Sequence, residues 1–562
     1  MLEEFVHQPR IAYFSMEIAL RDDIPTYSGG LGVLAGDTVR AAVDLDVPFV
    51  GVTLVSRAGY FRQEIDSAGR QTEQPDTWEP RDWTAPTEAK IAVLIEGREV
   101  WVRGWLFEVQ GHRGGRQPVI LLDTDLDENQ ADDRRLTHYL YGGDEIYRIK
   151  QEMVLGIGGV RMLNALGFRI RQYHMNEGHS AFLALELLRR FTRSVEEAGA
   201  ASRYDVPRVR EMCNFTTHTP LEAGHDQFSY DLVSRVMSGF VDLDTLKNLA
   251  GQDRLNMTRL ALNLSEYVNG VAKRHAEESR RSFPGYRIHA VTNGVHPSTW
   301  TCASFVEMYD NYLPGWCHEP ELLVRIDQVP DDAVWAAHMQ AKRRLVQYIE
   351  ALSGLKFNPD LPIVGFARRM TAYKRPDLLF SDLERLKAIA RKYPLQVVMA
   401  GKAHPHDEGG KQLIASLHSF RKALADCVPM VFFPNYGMQR ALDLVSGADV
   451  WLNTPLRPLE ASGTSGMKAA FNGVPQLSVL DGWWLEGCIE GITGWSIGNA
   501  SDSPNGNDGP SLYEKLEQKV LPLYAENRRG WIAVMKGAIG KNASYFNSHH
   551  MMRRYATEAY IR

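Results

Sequence analysis

Short runs of β-branched and aromatic residues alternate along the 562-residue chain with longer segments whose apolar positions recur every three or four residues. This is the pattern of βα units feeding a mainly parallel sheet. In the first half, Arg10 to Ile18 reads as a strand, Gly29 to Leu45 as a helix and Val47 to Val55 as a second strand. Ile91 to Val109 reads as a hairpin, and another strand ends near Leu122. Ile146, Ile149, Met153, Ile157, Val160 and Leu163 then line one face of a helix that Gly167 ends. Strands follow at Arg171 to Met175 and Cys213 to Thr217.

The turn-rich segment Thr292-Asn293-Gly294-Val295-His296-Pro297 suits a hinge, and the same alternation restarts after it. Ile363 to Ala367, Leu395 to Ala400, Met430 to Phe433, Asp449 to Asn453 and Gln476 to Leu480 are strands, with Leu379, Leu383, Leu386, Ala390 and Tyr393 along an intervening helix. Ser501 to Pro510 reads as a loop, and the chain from Leu512 onward as mostly helical. The fold predicted is α/β, with two Rossmann-like, doubly wound lobes facing a cleft. Residues 1–294 form the first lobe with a β-hairpin insertion, 295–510 the second, and 511–562 a helical segment packing back across both. Ligands of open α/β sheets bind beyond the carboxyl ends of the strands, so the turns there are where chemistry is expected.

Composition narrows the class. Hydrophobic residues make up 44% and charged residues 23%, which excludes disorder as a main theme. Lys plus Arg number 63 against 69 Asp plus Glu, a net charge of −6, so no global basic field attracts nucleic acid or anionic lipid. The five cysteines are widely spaced without a CxxC pair, which argues against a disulfide framework or a structural zinc and fits the reducing cytoplasm. No signal segment or 18-residue apolar run is present, and the expectation is a cytoplasmic protein without a metal.

Three turns carry candidate chemistry. In Ser28-Gly29-Gly30-Leu31-Gly32, glycines lead from a strand and loop into a helix, where backbone amides can approach an anion. Arg368, Arg369, Lys374 and Arg375 lie within eight positions at the end of the Ile363 strand and repel one another unless an anion, naturally a phosphate, neutralises them. Glu460-Ala461-Ser462-Gly463-Thr464-Ser465-Gly466-Met467-Lys468 opens a helix with small and hydroxylated residues, and Lys468 sits among Met467 and two alanines. A lysine in apolar surroundings has a lowered pKa, and its neutral amine can attack a carbonyl.

The segment EASGTSGMKAAFNG resembles the pyridoxal-phosphate lysine motif of the α-glucan phosphorylases, the glycogen and maltodextrin phosphorylase family. SGGLGVLAGD, ARRMTAYKRP, VTNGVHPSTW, YHMNEGHSAF and TTHTPLEAGHD agree in order, and the matches run from about Arg10 to Ile497. The resemblance looks closest to the short prokaryotic branch. It implies a glycosyltransferase-B fold and reversible, retaining phosphorolysis of the non-reducing end of an α-1,4-glucan to α-D-glucose 1-phosphate. Pyridoxal 5'-phosphate is the implied cofactor, carried by Lys468, with its phosphate rather than its ring in proton transfer. Two phosphates in contact repel by roughly several kcal/mol even at an effective dielectric near 20, which makes the cationic cluster intelligible. Carried over by position, Arg369, Lys374, Lys468, Gly30 and Thr464 are catalytic. Lys468, Arg368, Lys374, Gly463, Thr464 and Tyr436 bind the cofactor. Gly30, Leu31, His218, Asn293, Tyr373, Glu460, Ser462 and Gly463 bind substrate. The implied partners are glucan or maltodextrin, inorganic phosphate and glucose 1-phosphate, and the implied assembly is a homodimer.

The chain also departs from the family pattern. Thr371 and Ala372 replace a common His-Glu, Ser465-Gly466 replaces the Gly-Asn of the long enzymes, and Gly437 stands where many relatives have an arginine, for which Arg440 is the candidate substitute. Several features are set aside. Gly494-Trp495-Ser496-Ile497-Gly498 has nucleophile-elbow spacing but is read as running into a loop. Asp123, Asp125 and Asp127 lack the glycine and glutamate of a calcium loop. His404 and His406 read as a cleft loop, His174 and His179 as shaping the cleft, and the Trp483-Trp484 pair as core or sugar platform. The rival readings are a nucleotide-sugar glucosyltransferase of the same fold and a non-catalytic glucan-binding homologue.

Overall fold

The computed structural model describes residues 2–193, 203–220, 224–499 and 507–561. Its first sheet has nine strands: β1 (Arg10–Ser15), β2 (Phe49–Leu54), β3 (Ala85–Ile95), β4 (Arg98–Gln110), β5 (Arg116–Asp123), β6 (Ile170–Asn176), β7 (Cys213–Thr216), β8 (Tyr267–Gly270) and β9 (His289–Ala290). They lie in the order β9-β8-β7-β6-β1-β2-β5-β4-β3. Every residue of β1 and β2 is buried, as expected of parallel strands covered on both faces. The hairpin β3–β4 is antiparallel at one edge, and β3 alternates exposed and partly buried positions because one face meets water.

The second sheet is wholly parallel: β10 (Ile363–Ala367), β11 (Gln396–Ala400), β12 (Met430–Phe433), β13 (Val450–Asn453), β14 (Gln476–Val479) and β15 (Gly494–Ile497), in the order β12-β11-β10-β13-β14-β15. The chain reverses its winding between β10 and β13, so a crevice forms beyond their carboxyl ends. Arg368 to Lys374 leave β10 there, and Thr454 to Lys468 leave β13 on the same side. The α/β, doubly wound expectation is borne out in both lobes.

A buried charge aligns these two strands. Lys342, on the helix Asp331–Ser353, is fully buried and lies 2.7 Å from Asp449, whose other oxygen accepts from His338 and whose Oδ2 accepts the Ile363 amide at 2.7 Å. Removing one partner of such a pair leaves an uncompensated buried charge, which explains why a helix and a strand junction carry it together.

Sequence and structure differ where the elements are short. The strand β9 has only two residues, and β8 (YVNG) and β15 (GWSI) mix glycine and polar residues into four, whereas the equally short β12 (MVFF) and β13 (VWLN) are largely apolar runs. Ser496 of the elbow-like motif lies on edge strand β15 and donates to Glu490 at 2.8 Å, so it is no nucleophile. The helix Asp508–Lys515 begins inside the segment read as a loop to Pro510, because buried Asp508 accepts from Arg375 and Arg457. Residues 501–506 of that loop lie outside the described residues. Among the described residues no helix is long and apolar enough to cross a membrane.

The C-terminal helices return to the first lobe. The helix α1 (Gly30–Asp44) packs beside a late helix (Ser548–Tyr555), and Met551, Met552, Tyr555 and Tyr560 share a core with Tyr13, Phe49 and Val39. At the inter-lobe turn the Ser548 amide donates to the Val295 carbonyl at 2.9 Å. A Cβ on Gly294 would stand 2.1 Å from the Asn547 backbone. Gly294→Ala is therefore expected to push this crossing apart and to cost about 1–3 kcal/mol or more, read as a lower midpoint in urea unfolding; an unchanged midpoint contradicts the close approach.

Candidate active site

The crevice at the winding reversal gathers most of the predicted residues. After β10 the backbone stays tied to the next strand turn, Arg368 N donating to Ala400 O at 3.1 Å and Met370 N to Lys402 O at 3.0 Å. The short turn Ala372–Lys374 then aims Lys374 inward. Glu460, reached from β13, closes the group: its Oε2 lies 2.8 Å from Arg368 and 2.5 Å from Lys374 Nζ. Burial alone would raise the Glu460 carboxyl, but these two cations hold it below its ordinary value. Lys374 is only 7% exposed, so this is no solvated cationic edge.

The four-cation cluster divides. Arg375 turns away, bonding the carbonyls of Thr454 and Pro455 and the Asp508 carboxylate at 2.6 Å, and clamps the loop after β13. Arg369 instead faces the opposite lobe. It is exposed to the cleft and has no ion pair among the described residues, and its guanidinium lies 3.5 Å from where a Cβ on Gly29 would stand. Gly29 precedes α1, whose first amides, those of Gly30 and Leu31, have no partner among the described residues. The earlier amides are already used: Glu17 Oε2 accepts from Ser28 N at 2.6 Å and Gly29 N at 3.3 Å, while Tyr141 donates to its Oε1 at 2.8 Å.

Lys468 rises from the short helix Ser465–Ala470 and is 7% exposed. Its Nζ lies 3.6 Å above the Trp300 ring. Burial pulls the amine down to about 8, partly opposed by the charge of Asp37. The backbone around it is fixed by Asn472, whose amide bonds both Lys468 O at 3.0 Å and Trp300 O at 2.7 Å. Gly463 takes a left-handed φ of 85°, and a side chain there would press on Glu460 and Arg368 within 3.5 Å. Tyr436 stands near Arg368, and burial pushes its phenol up against that cation's pull. Thr464 heads the Lys468 helix without a side-chain cap.

The first lobe supplies polar groups. His218 Nε2 lies 2.6 Å from Asn176 Oδ1 and its amide donates to Glu177 at 2.8 Å; burial lowers the imidazole to about 4, against the pull of Glu177. Asn293 Oδ1, Thr217 Oγ1 and Ser462 Oγ are buried and have no hydrogen-bond partner among the described residues. Buried polar atoms are normally satisfied, so these orphans mark a place shaped for a polar ligand. Tyr373 lies under Lys374, 4.5 Å from ring centre to Nζ. A cavity of about 460 Å³ opens alongside, lined by Tyr141, Arg148 and Asp226 from one lobe and His404 and His406 from the other.

Other expectations resolve differently. Arg440, the candidate substitute cation, pairs with Asp443 at 3.1 Å and lies 3.8 Å over Tyr348, so the structure does not bring it into the group. His174 is buried between Tyr560 and Thr216 in the core, away from the cleft-shaping role read for it. Trp483 and Trp484 are buried, edge to face at 5.3 Å, and serve the core rather than a sugar platform. Arg134 sits among Asp125 and Asp127, where calcium would have to bind. Glu17 and Tyr141 lie in none of the quoted motifs, and Asp37 and Trp300 close SGGLGVLAGD and VTNGVHPSTW without having been given a role; for Glu17 the available signal was its place just past the carboxyl end of β1.

A family model described as carbohydrate phosphorylase matches residues 241–490. The chain is 39% identical to the maltodextrin phosphorylase of Thermococcus litoralis over 98% of its own length and 70% of that protein. It is 36% identical to the glycogen phosphorylase of Mycobacterium tuberculosis, again over 98% and 70%, and 34% identical to that of Aquifex aeolicus over 99% and 87%. The chain belongs to the carbohydrate phosphorylase family.

The lowered Lys468 amine gives a pH signature. On protein stripped of bound aldehydes, the neutral fraction of Lys468 rises through pH about 8, against about 10.4 for a solvated lysine. Acylation of Lys468, followed by peptide mass spectrometry, is expected to reach half its limiting rate near pH 8. Asp37→Asn removes a charge that favours the ammonium and moves that midpoint lower. A midpoint near 10 would contradict the burial argument.

Proposed function

We propose that this chain is a pyridoxal-phosphate-dependent α-1,4-glucan phosphorylase. It catalyses the reversible transfer of the non-reducing terminal glucosyl unit to inorganic phosphate, with retention, giving α-D-glucose 1-phosphate. The relatives' names support the reaction class. The observation that carries it to this chain is Arg369, a cleft-facing guanidinium with no carboxylate partner among the described residues, set against the amides of Gly30 and Leu31, which have none there either. Such a pair of donor sets recognises a tetrahedral oxyanion.

Carbohydrate phosphorylases generally use pyridoxal phosphate, and the residues here fit that group. Lys468 offers a buried amine with a lowered pKa and, among the described residues, no competing ion pair, and the left-handed Gly463 keeps the space beside Arg368 clear. When bound, the cofactor supplies a phosphate whose second pKa near 6 suits proton exchange at neutral pH. Lys468 would hold it covalently, and Arg368, Lys374, Tyr436, Gly463 and Thr464 would hold its phosphate. Arg369, Lys374 and the Gly30 amide hold and orient the attacking phosphate, lowering the repulsion between two dianions. An anion that draws Arg368 and Lys374 toward itself releases Glu460 to accept from glucosyl hydroxyls. His218, neutral at working pH because burial has lowered it, donates or accepts at the sugar without adding charge. Leu31, Asn293, Tyr373, Ser462 and Gly463 complete the glucosyl site, and the neighbouring polar cavity receives further sugar units.

Lys468→Ala is expected to abolish borohydride-trapped pyridoxyl label and glucose 1-phosphate formation from maltodextrin together. Arg369→Ala is expected to keep the label and lower kcat/KM for phosphate by about 10²–10³-fold, the usual loss of a charged donor at a developing charge. Retained phosphorolysis in Lys468→Ala, or glucosyl transfer from a nucleotide sugar by an unlabelled wild type, overturns the reading.

A further inference from the structure

At the far end of α1 from the cleft, Asp44 meets two imidazoles. Its Oδ2 lies 2.9 Å from His296 Nε2 and 3.3 Å from His549 Nε2. One ligand atom from each residue falls within a 4.8 Å group, and the three residues are 4%, 3% and 0% exposed. His296 belongs to the inter-lobe turn and His549 to the late helix Ser548–Tyr555, so three separate parts of the chain converge on one oxygen.

Hydrogen-bond accounting shows what is missing there. His549 Nδ1 lies 3.1 Å from the His318 carbonyl. A carbonyl only accepts, so Nδ1 carries the hydrogen and a neutral His549 presents a bare Nε2 to a carboxylate oxygen. Two acceptors facing each other out of water require a positive charge between them or upon one of them. At His296 the Thr299 amide donates to Nδ1 at 3.4 Å, so its Nε2 carries the hydrogen toward Asp44. Binding a metal through Nε2 requires that long contact to be given up and the Nδ1 hydrogen to turn to Thr299 Oγ1 at 2.8 Å or Ser298 Oγ at 3.2 Å, hydroxyls able to accept it. The His112 amide occupies the other Asp44 oxygen at 3.0 Å, leaving Oδ2 as the shared one.

The spacing suits a metal. Ligand atoms about 2.1 Å from a tetrahedral zinc are about 3.4 Å apart, close to the 2.9 and 3.3 Å separations found. The outer nitrogen of His549 is held by a carbonyl, the arrangement that fixes the metal-binding tautomer, and that of His296 has two hydroxyls within reach of its hydrogen. Two imidazoles and one carboxylate form a donor set that zinc takes with a water in the fourth position.

We propose that Asp44, His296 and His549 form a buried structural zinc site that ties α1, the inter-lobe turn and the C-terminal helix together. No motif betrays it, because its other members lie 252 and 505 residues from Asp44. The site reaches the cleft through the turn it holds. The His296 amide and the Trp300 indole both donate to Asp37 Oδ2, at 3.2 and 2.7 Å, and Trp300 lies beneath Lys468. The inference rests on these residues alone and is independent of phosphorolysis.

The test uses the full chain expressed with zinc and dialysed against metal-free buffer. Elemental analysis is expected to find about one zinc per wild-type chain, and affinity to fall by more than the roughly 10- to 100-fold cost of losing an outer partner in His549→Gln and Asp44→Asn. Chelation of the wild type is expected to lower its Tm, with zinc but not magnesium restoring it. Should both variants fail to fold, X-ray absorption on the wild type decides. A shell of two imidazoles and one carboxylate supports the site, and a shell without imidazole overturns it. Wild-type protein without zinc, held instead by a protonated His549, or zinc content and Tm shifts equal in wild type and folded variants, also overturns it.

Discussion

Much of the architecture depends on one buried carboxylate, that of Asp37 in the middle of α1. Its Oδ2 accepts the His296 amide and the Trp300 indole, while Arg40 stands 3.7 Å from its other oxygen. Charged acceptors out of water need such donors, and each bond is stronger there than at the surface. By holding the turn between the lobes against a helix of the first lobe, Asp37 sets where Trp300 lies, and Trp300 sets the surface on which the Lys468 amine rests. The same carboxylate opposes the fall of that amine's pKa. Connectivity, packing and reactivity thus meet in a single side chain.

The cleft is an exercise in charge balance. Arg368, Arg369 and Lys374 are too close at one strand end to remain unneutralised, and Glu460 pairs with only two of them. The excess is left on Arg369, the cation nearest the glycine loop. On the facing lobe Glu17 consumes the first amides of that loop and leaves the next two. Each side therefore offers its positive character toward the gap between the lobes, where the anionic ligand of the proposed reaction would complete the balance at little reorganisation cost.

Much of this was legible in the chain before any tertiary contact was known. The long parallel strands announced themselves as continuous apolar runs, and β1, β2 and β10 fall within a few residues of where periodicity put them. The motif around Lys468 was legible through its resemblance to the phosphorylase lysine motif, since a lysine beside alanines at a helix start is by itself ordinary. The strands β8, β9 and β15 were not, because β9 has two residues and the other two break their short apolar runs with glycine and polar residues. Arg375 looked like a phosphate ligand by proximity alone. Only the fold brings Asp508 to it, and a carboxylate at 2.6 Å outcompetes any role in the cleft.

The division has a physical basis. Local pattern and backbone stereochemistry act over a few residues, so the sequence by itself determined the class of fold, the two runs of βα units, and the turns at strand ends where chemistry sits. Desolvation and pairing act through space. Whether a lysine is buried, which carboxylate neutralises which cation, and whether Asp44, His296 and His549 share one oxygen depend on segments hundreds of positions apart being pressed together in a dry interior. Those matters were decided only by the tertiary structure, because charge and hydrogen-bond energies depend on distance and surroundings rather than on order along the chain.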